Sequence, residues 1–99
     1  MKFESSVPDL SLLYNKAKES FKECIRNKDN EFLKNEVSIS LEDIVVIEES
    51  IKIVFSQKFF NRYLVEVSLL LFDGNKEIGK YLYFENEREE DIDDSLVFH

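Results

Sequence analysis

Tyr63-Leu64-Val65-Glu66-Val67-Ser68-Leu69-Leu70-Leu71-Phe72, followed at once by Asp73-Gly74-Asn75-Lys76, decides the fold. The run alternates with period two: Tyr63, Val65, Val67, Leu69 and Leu71 share one face, and Leu64, Glu66, Ser68, Leu70 and Phe72 the other. A strand apolar on both faces is expected to lie centrally in a sheet, with cover on each side. Asp73-Gly74 is a hairpin signal, because glycine takes the positive φ that tight hairpin turns need. The chain should return as a partner strand over Ile78–Phe84, with Ile78, Lys80, Leu82 and Phe84 on one face and Gly79, Tyr81 and Tyr83 on the other.

Upstream of this hairpin, Ile51, Ile53 and Phe55 alternate as a further strand, and Gln57–Asn61 is expected to turn the chain between the two. Val37, Ile39 and Leu41 alternate with polar residues and predict a short first strand; Ile44–Ile47, β-branched throughout, is either its own strand or a continuation past a bulge. At the C-terminus, Leu96–His99 is short and apolar and predicts an edge strand.

Near the N-terminus the period changes to 3.6. Leu10, Leu13, Tyr14, Ala17, Phe21, Cys24 and Ile25 form the stripe of an amphipathic helix, with Lys16, Lys18, Glu19, Lys22, Glu23 and Arg26 off it. Ser6-Val-Pro-Asp9 supplies a start signal and Asn27-Lys-Asp-Asn30 a stop, with Phe32 and Leu33 adding a short helical turn. The expected architecture is a single α+β domain over residues 1–99: one N-terminal amphipathic helix packed on a four- to five-stranded antiparallel meander sheet.

The chemistry-bearing residues are few. The one histidine, His99, is the last residue, and the one cysteine, Cys24, sits on the apolar helix stripe where burial makes a thiol inert. That combination excludes the usual zinc sites. With only Gly74 and Gly79, no phosphate-binding glycine loop can be written, and the hairpin accounts for both. The sequence therefore predicts no catalytic machinery and no cofactor. No apolar run exceeds four residues, as in Leu69–Phe72, and no signal-peptide core stands at the N-terminus, so a cytoplasmic protein that does not enter the membrane is expected.

Charge is the more informative quantity. The 21 acidic and 13 basic residues give a net charge of −8, and residues 85–99 carry −6 of it. Such a surface repels nucleic acid and anionic lipid, which bind through Lys and Arg. Residues 85–94 read Glu-Asn-Glu-Arg-Glu-Glu-Asp-Ile-Asp-Asp, seven acids in ten. Three readings stand side by side: a solvated loop whose charge discourages edge pairing, a docking surface for a basic protein, or a calcium site. The last lacks the turn glycine and distal Glu of an EF-hand loop. On the second reading, Glu87, Glu89, Glu90, Asp91, Asp93 and Asp94 bind the partner. Tyr81 and Tyr83 serve as aromatic anchors if their face is exposed.

The N-terminal helix, the meander with its Asp73-Gly74 hairpin, the acidic balance and the short apolar C-terminal strand together resemble small bacterial immunity proteins of polymorphic-toxin and contact-dependent growth-inhibition systems. The resemblance implies a protein-binding inhibitor that neutralises a basic toxin, of nuclease type in some systems, by direct occlusion; it transfers no individual residue role. The alternatives are a small ligand-binding or enzymatic domain with a pocket between helix and sheet, an acidic secretion chaperone, or a structural subunit that pairs its apolar sheet face with a second copy of itself.

Overall fold

The computed structural model of the protein describes residues 9–56 and 62–99. Helix α1 runs Leu10–Arg26, followed by a 3₁₀ segment, Lys28–Asn35, and a shorter one, Leu41–Asp43. Four strands complete the chain: β1 Val45–Ser56, β2 Arg62–Asp73, β3 Lys76–Asn86 and β4 Asp91–Phe98. They form one antiparallel sheet in the order β1-β2-β3-β4, a meander with α1 across one face. This is the α+β arrangement the sequence predicts, with four strands.

Asp9 caps α1, its carboxylate accepting from the Leu12 N–H at 3.1 Å. The Ser6 and Pro8 part of the expected start signal, and the Gln57–Asn61 turn, lie outside the described residues. The helix stripe buries Leu13, Ala17, Phe21 and Ile25, with Tyr14 and Cys24 half-buried beside them. Leu10 is the exception: at the first helical position it stays exposed. The helix stops at Asn27, and Asn30 donates to the Cys24 carbonyl at 3.0 Å, satisfying one of the carbonyls the last turn leaves free. The 3₁₀ segment then folds Leu33 onto the core.

The helix meets the sheet on Val65, Val67, Leu69 and Leu71 of β2 and on Tyr81 and Tyr83 of β3, all buried. Phe21 and Tyr81 pack edge to face, ring centroids 5.4 Å apart. The predicted strand over Val37–Leu41 is not formed. Residues 36–39 are turn and bend, and after Ser40 the second 3₁₀ segment opens at Leu41. Val37 and Ile39 still pack on the core, so their alternation records burial from an irregular segment rather than a ladder. Ile44–Ile47 is not a separate strand either. It leads into β1, which continues through Phe55 with a register shift between Glu48 and Ser50. Glu49, the extra residue there, projects onto the outer face, where it accepts from Ser68 Oγ at 2.6 Å and pairs with Lys80 at 3.1 Å.

Gly74 has φ +60 in the two-residue turn between Asp73 and Lys76, and Asn75 keeps an ordinary φ; glycine in the first central position suits a type II′ turn. Gly79 serves a different purpose from the turn role expected of it. It lies inside β3 opposite Phe98, and a Cβ there would stand 2.5 Å from the Val97 carbonyl oxygen. Its missing side chain is what lets β4 approach.

Candidate functional site

β4 begins at Asp91, well before the predicted Leu96, so the acidic segment is only partly a loop. Glu87, Glu89 and Glu90 sit in the turn between β3 and β4. Asp91, Asp93 and Asp94 belong to β4, one of the two edges of the sheet. Asn86 organises the turn: its side-chain oxygen accepts from the N–H groups of Arg88 at 2.9 Å and Glu90 at 3.0 Å. Glu89 closes it at φ 65, a left-handed conformation that costs a non-glycine residue strain.

Along β4 the pleat divides the acids between faces. Asp94 stands opposite Tyr83 and Asp93 opposite Phe84, so Asp94 faces the helix side and Asp93 the outer side. Asp94 then reaches diagonally back to β3, where Tyr81 Oη donates to its Oδ2 at 2.7 Å. Ser20 Oγ of α1 lies 2.6 Å from the same tyrosine oxygen. Tyrosine has one proton, already given to the carboxylate, so Ser20 is the donor in that contact. Burial is the main reason the Tyr81 pKa is pushed far above its ordinary value, with Asp94 adding to the shift and Ser20 opposing it.

Beside this triad, Tyr83 Oη donates to Glu85 Oε2 at 3.0 Å, and Lys16 Nζ approaches the same oxygen at 3.4 Å. Glu85 is buried, so its charge is held by one neutral and one cationic donor. The Tyr83 pKa is likewise raised, by burial first and then by the Glu85 carboxylate. These contacts correct the expectation for the two tyrosines. The face that carries Tyr81 and Tyr83 is covered by α1, both side chains are core, and neither is presented to a partner.

What the arrangement does create is a cleft of about 590 Å³ between the C-terminal half of α1, the 3₁₀ segment and β4. Asp91 and Asp94, on the helix-facing side, line it from the strand, Asp93 borders it at the strand edge, and Glu23, Asn27 and Asn30 line it from the helix and the segment after it. Among the described side chains, no Lys or Arg lines it. Glu23, Asn27 and Asn30 were not singled out by sequence; only α1 and β4 standing side by side makes them neighbours of the acidic segment. Cys24 also lines the cleft, but burial, then the Asp94 carboxylate, raise its thiol pKa, away from nucleophilic reactivity.

The edge itself is partly open. The His99 N–H donates to the Ile78 carbonyl at 2.9 Å, so the ladder continues past Phe98. In the antiparallel alternation this makes Val97 and Ser95 the residues that exchange bonds with β3, and turns the backbone groups of Leu96 towards solvent. The next outward N–H, that of Asp94, is taken by Asp93 Oδ1 at 2.9 Å.

His99 is anchored at both backbone and side chain, its Nε2 lying 3.1 Å from Glu77 Oε2, rather than frayed. Among the described residues no group of three or more acids, histidines or cysteines is placed to hold a metal ion, and no helix is long and apolar enough to cross a membrane. Comparison with protein-family models, with curated proteins and with solved structures returns no match for this chain, so the geometry of the cleft stands alone as the guide to function.

Proposed function

We propose that this protein binds a basic protein partner and neutralises it by occlusion, as the immunity proteins it resembles do, with the acidic cleft along β4 as the docking site. The observation that carries this reading is the convergence of Asp91 and Asp94 with Glu23 on one cleft, with Asp93 at its border and no cation among the described lining side chains. Three carboxylates on two facing elements, in a chain of net charge −8, attract a Lys- or Arg-bearing segment at long range and hold it at short range. Glu87, Glu89 and Glu90 extend the same field beyond the cleft at the hairpin turn. The role of these acids is recognition, and the work of inhibition is steric: a bound chain edge covers the partner's surface.

The same lining argues against anionic metabolites and nucleotides as occupants, since none of the described lining side chains offers their charge a counterpart. The test is affinity capture from lysate of the source organism, comparing wild type with the triple variant Glu23→Lys, Asp91→Lys, Asp93→Lys. None of these three side chains holds the core tyrosines. A basic protein retained by wild type and lost by the variant supports the proposal. Identical retention by both, or no basic protein retained, rejects it.

A further inference from the structure

The helix covers one face of the sheet, and among the described residues no element covers the other. Directly paired residues point to the same side, so the register assigns that outer face: Val45, Ile47, Ser50, Lys52 and Val54 of β1; Leu64, Glu66, Ser68, Leu70 and Phe72 of β2; Glu77, Lys80, Leu82 and Phe84 of β3; Asp93, Ser95 and Val97 of β4. Nine of these are large and apolar. Ile47 is 45% and Val97 55% exposed, and Leu70, Phe72 and Leu82 are half-buried without packing on the core. An outer face this apolar is unusual for a two-layer protein in water and marks an interaction surface.

We infer that this face packs against the same face of a second copy of the chain, giving a dimer layered helix–sheet–sheet–helix. Charge selects the occupant. Two chains of net charge −8 repel one another over most of their surface, and the acids along β4 oppose pairing of two β4 edges. In the middle of the outer face the charges are balanced in place, Glu49 with Lys80 at 3.1 Å and Lys52 with Glu66 at 3.9 Å, while the acids Glu77 and Asp93 stand at its two ends. A basic partner gains little from a centre already neutralised, whereas an identical acidic chain meets least repulsion there. The Glu49–Lys80 pair, fixed by the Ser68 hydroxyl, sits within the apolar band rather than around it. Area is also sufficient. Four strands about 4.8 Å apart, each contributing about 30 Å of length, present roughly 600 Å² per copy, so about 1,200 Å² in all, the lower end of the range for specific stable interfaces.

The test is sedimentation velocity on the full chain over a concentration series, at low and raised salt, for three proteins: wild type, Ile47→Lys with Val97→Lys, and Leu12→Lys. Both outer-face positions are exposed, so the substitutions leave the core intact; Leu12 is an equally exposed apolar residue on α1 and serves as control. Wild type and Leu12→Lys should sediment at about twice the 11.8 kDa chain mass, and the outer-face variant at the single mass with unchanged circular dichroism. Dimerisation should strengthen with salt, because salt screens the net repulsion while the apolar contact remains. A wild type that stays at the single mass throughout overturns the inference, and so does a dimer that survives the outer-face variant. Neither result bears on the β4 cleft, which lies on the other side of the sheet edge and whose binding should weaken with salt.

Discussion

Tyr81 Oη donates to Asp94 Oδ2 at 2.7 Å, joining a fully buried ring to an acid that lines the cleft. One oxygen of a cleft-lining carboxylate thus supports the core. Ser20 completes the link from α1, so helix, central strand and edge strand meet at one phenolic oxygen. Tyr81→Phe keeps the packing against Phe21 and removes both hydrogen bonds. It should lower stability by about 1 kcal/mol, read as a reduced urea midpoint with unchanged slope. No change in midpoint would mean that water replaces the hydroxyl at no cost.

Alkaline pH should act through the same residues. The pKa values of Tyr81 and Tyr83 are raised in the fold, chiefly by burial, whereas a tyrosine in the unfolded chain ionises near about 10. The unfolded state therefore binds fewer protons than the native state above that pH. The stability these two groups contribute is whole below about pH 10 and declines as pH rises past it towards the folded values. Phenolate absorbance should show two of the four tyrosines ionising only together with loss of the sheet dichroism. Four tyrosines titrating together with the fold intact would contradict the buried assignment.

Lys16 matters because of where Glu85 lies. The Glu85 carboxylate is 3% exposed and its cationic partner is Lys16, 27% exposed, at 3.4 Å. Removing the ammonium leaves a buried charge with the Tyr83 hydroxyl as its remaining hydrogen-bond donor. Because Lys16 is partly solvated, Lys16→Ala should cost about 2 kcal/mol, less than breaking a fully buried pair. The double change Lys16→Met, Glu85→Gln should recover part of that loss in thermal unfolding, since it removes the charge along with its partner.

Gly79→Ala places a methyl 2.5 Å from the Val97 carbonyl oxygen and 2.9 Å from the Phe98 ring. The ring can turn but the backbone cannot yield without parting β3 from β4. The expected cost is about 1–3 kcal/mol, concentrated as faster amide hydrogen exchange along β4. Gly74→Ala would strain the turn at φ +60 instead and leave β4 exchange unchanged.

Most of the fold is legible in local pattern. The stripe from Leu13 to Ile25, the alternation from Tyr63 to Leu71 and the Gly74 turn each encode one element through residues that are neighbours in sequence. Where the pattern misleads, burial comes without regular structure: Val37 and Ile39 alternate because they pad the core from an irregular segment. The early start of β4 is hidden because its first residues are acids, which disfavour strands; pairing with Phe84 and Tyr83 overrides that preference. The acids of the candidate site are legible in composition alone. Their division between the two faces, the approach of Glu23 and the burial of Tyr81 and Tyr83 depend on how α1 crosses the sheet, which no short stretch of sequence states.

The most direct test of the β4 cleft is calorimetric titration of a basic protein, recovered by capture, against wild type and the Glu23→Lys, Asp91→Lys, Asp93→Lys variant across a series of salt concentrations. Docking at the cleft predicts affinity that falls steadily with salt and drops at least about tenfold in the variant, the equivalent of about 1.4 kcal/mol lost from charge pairs. Affinity that holds across the salt series and is the same in both proteins would contradict it and move the binding surface elsewhere on the molecule.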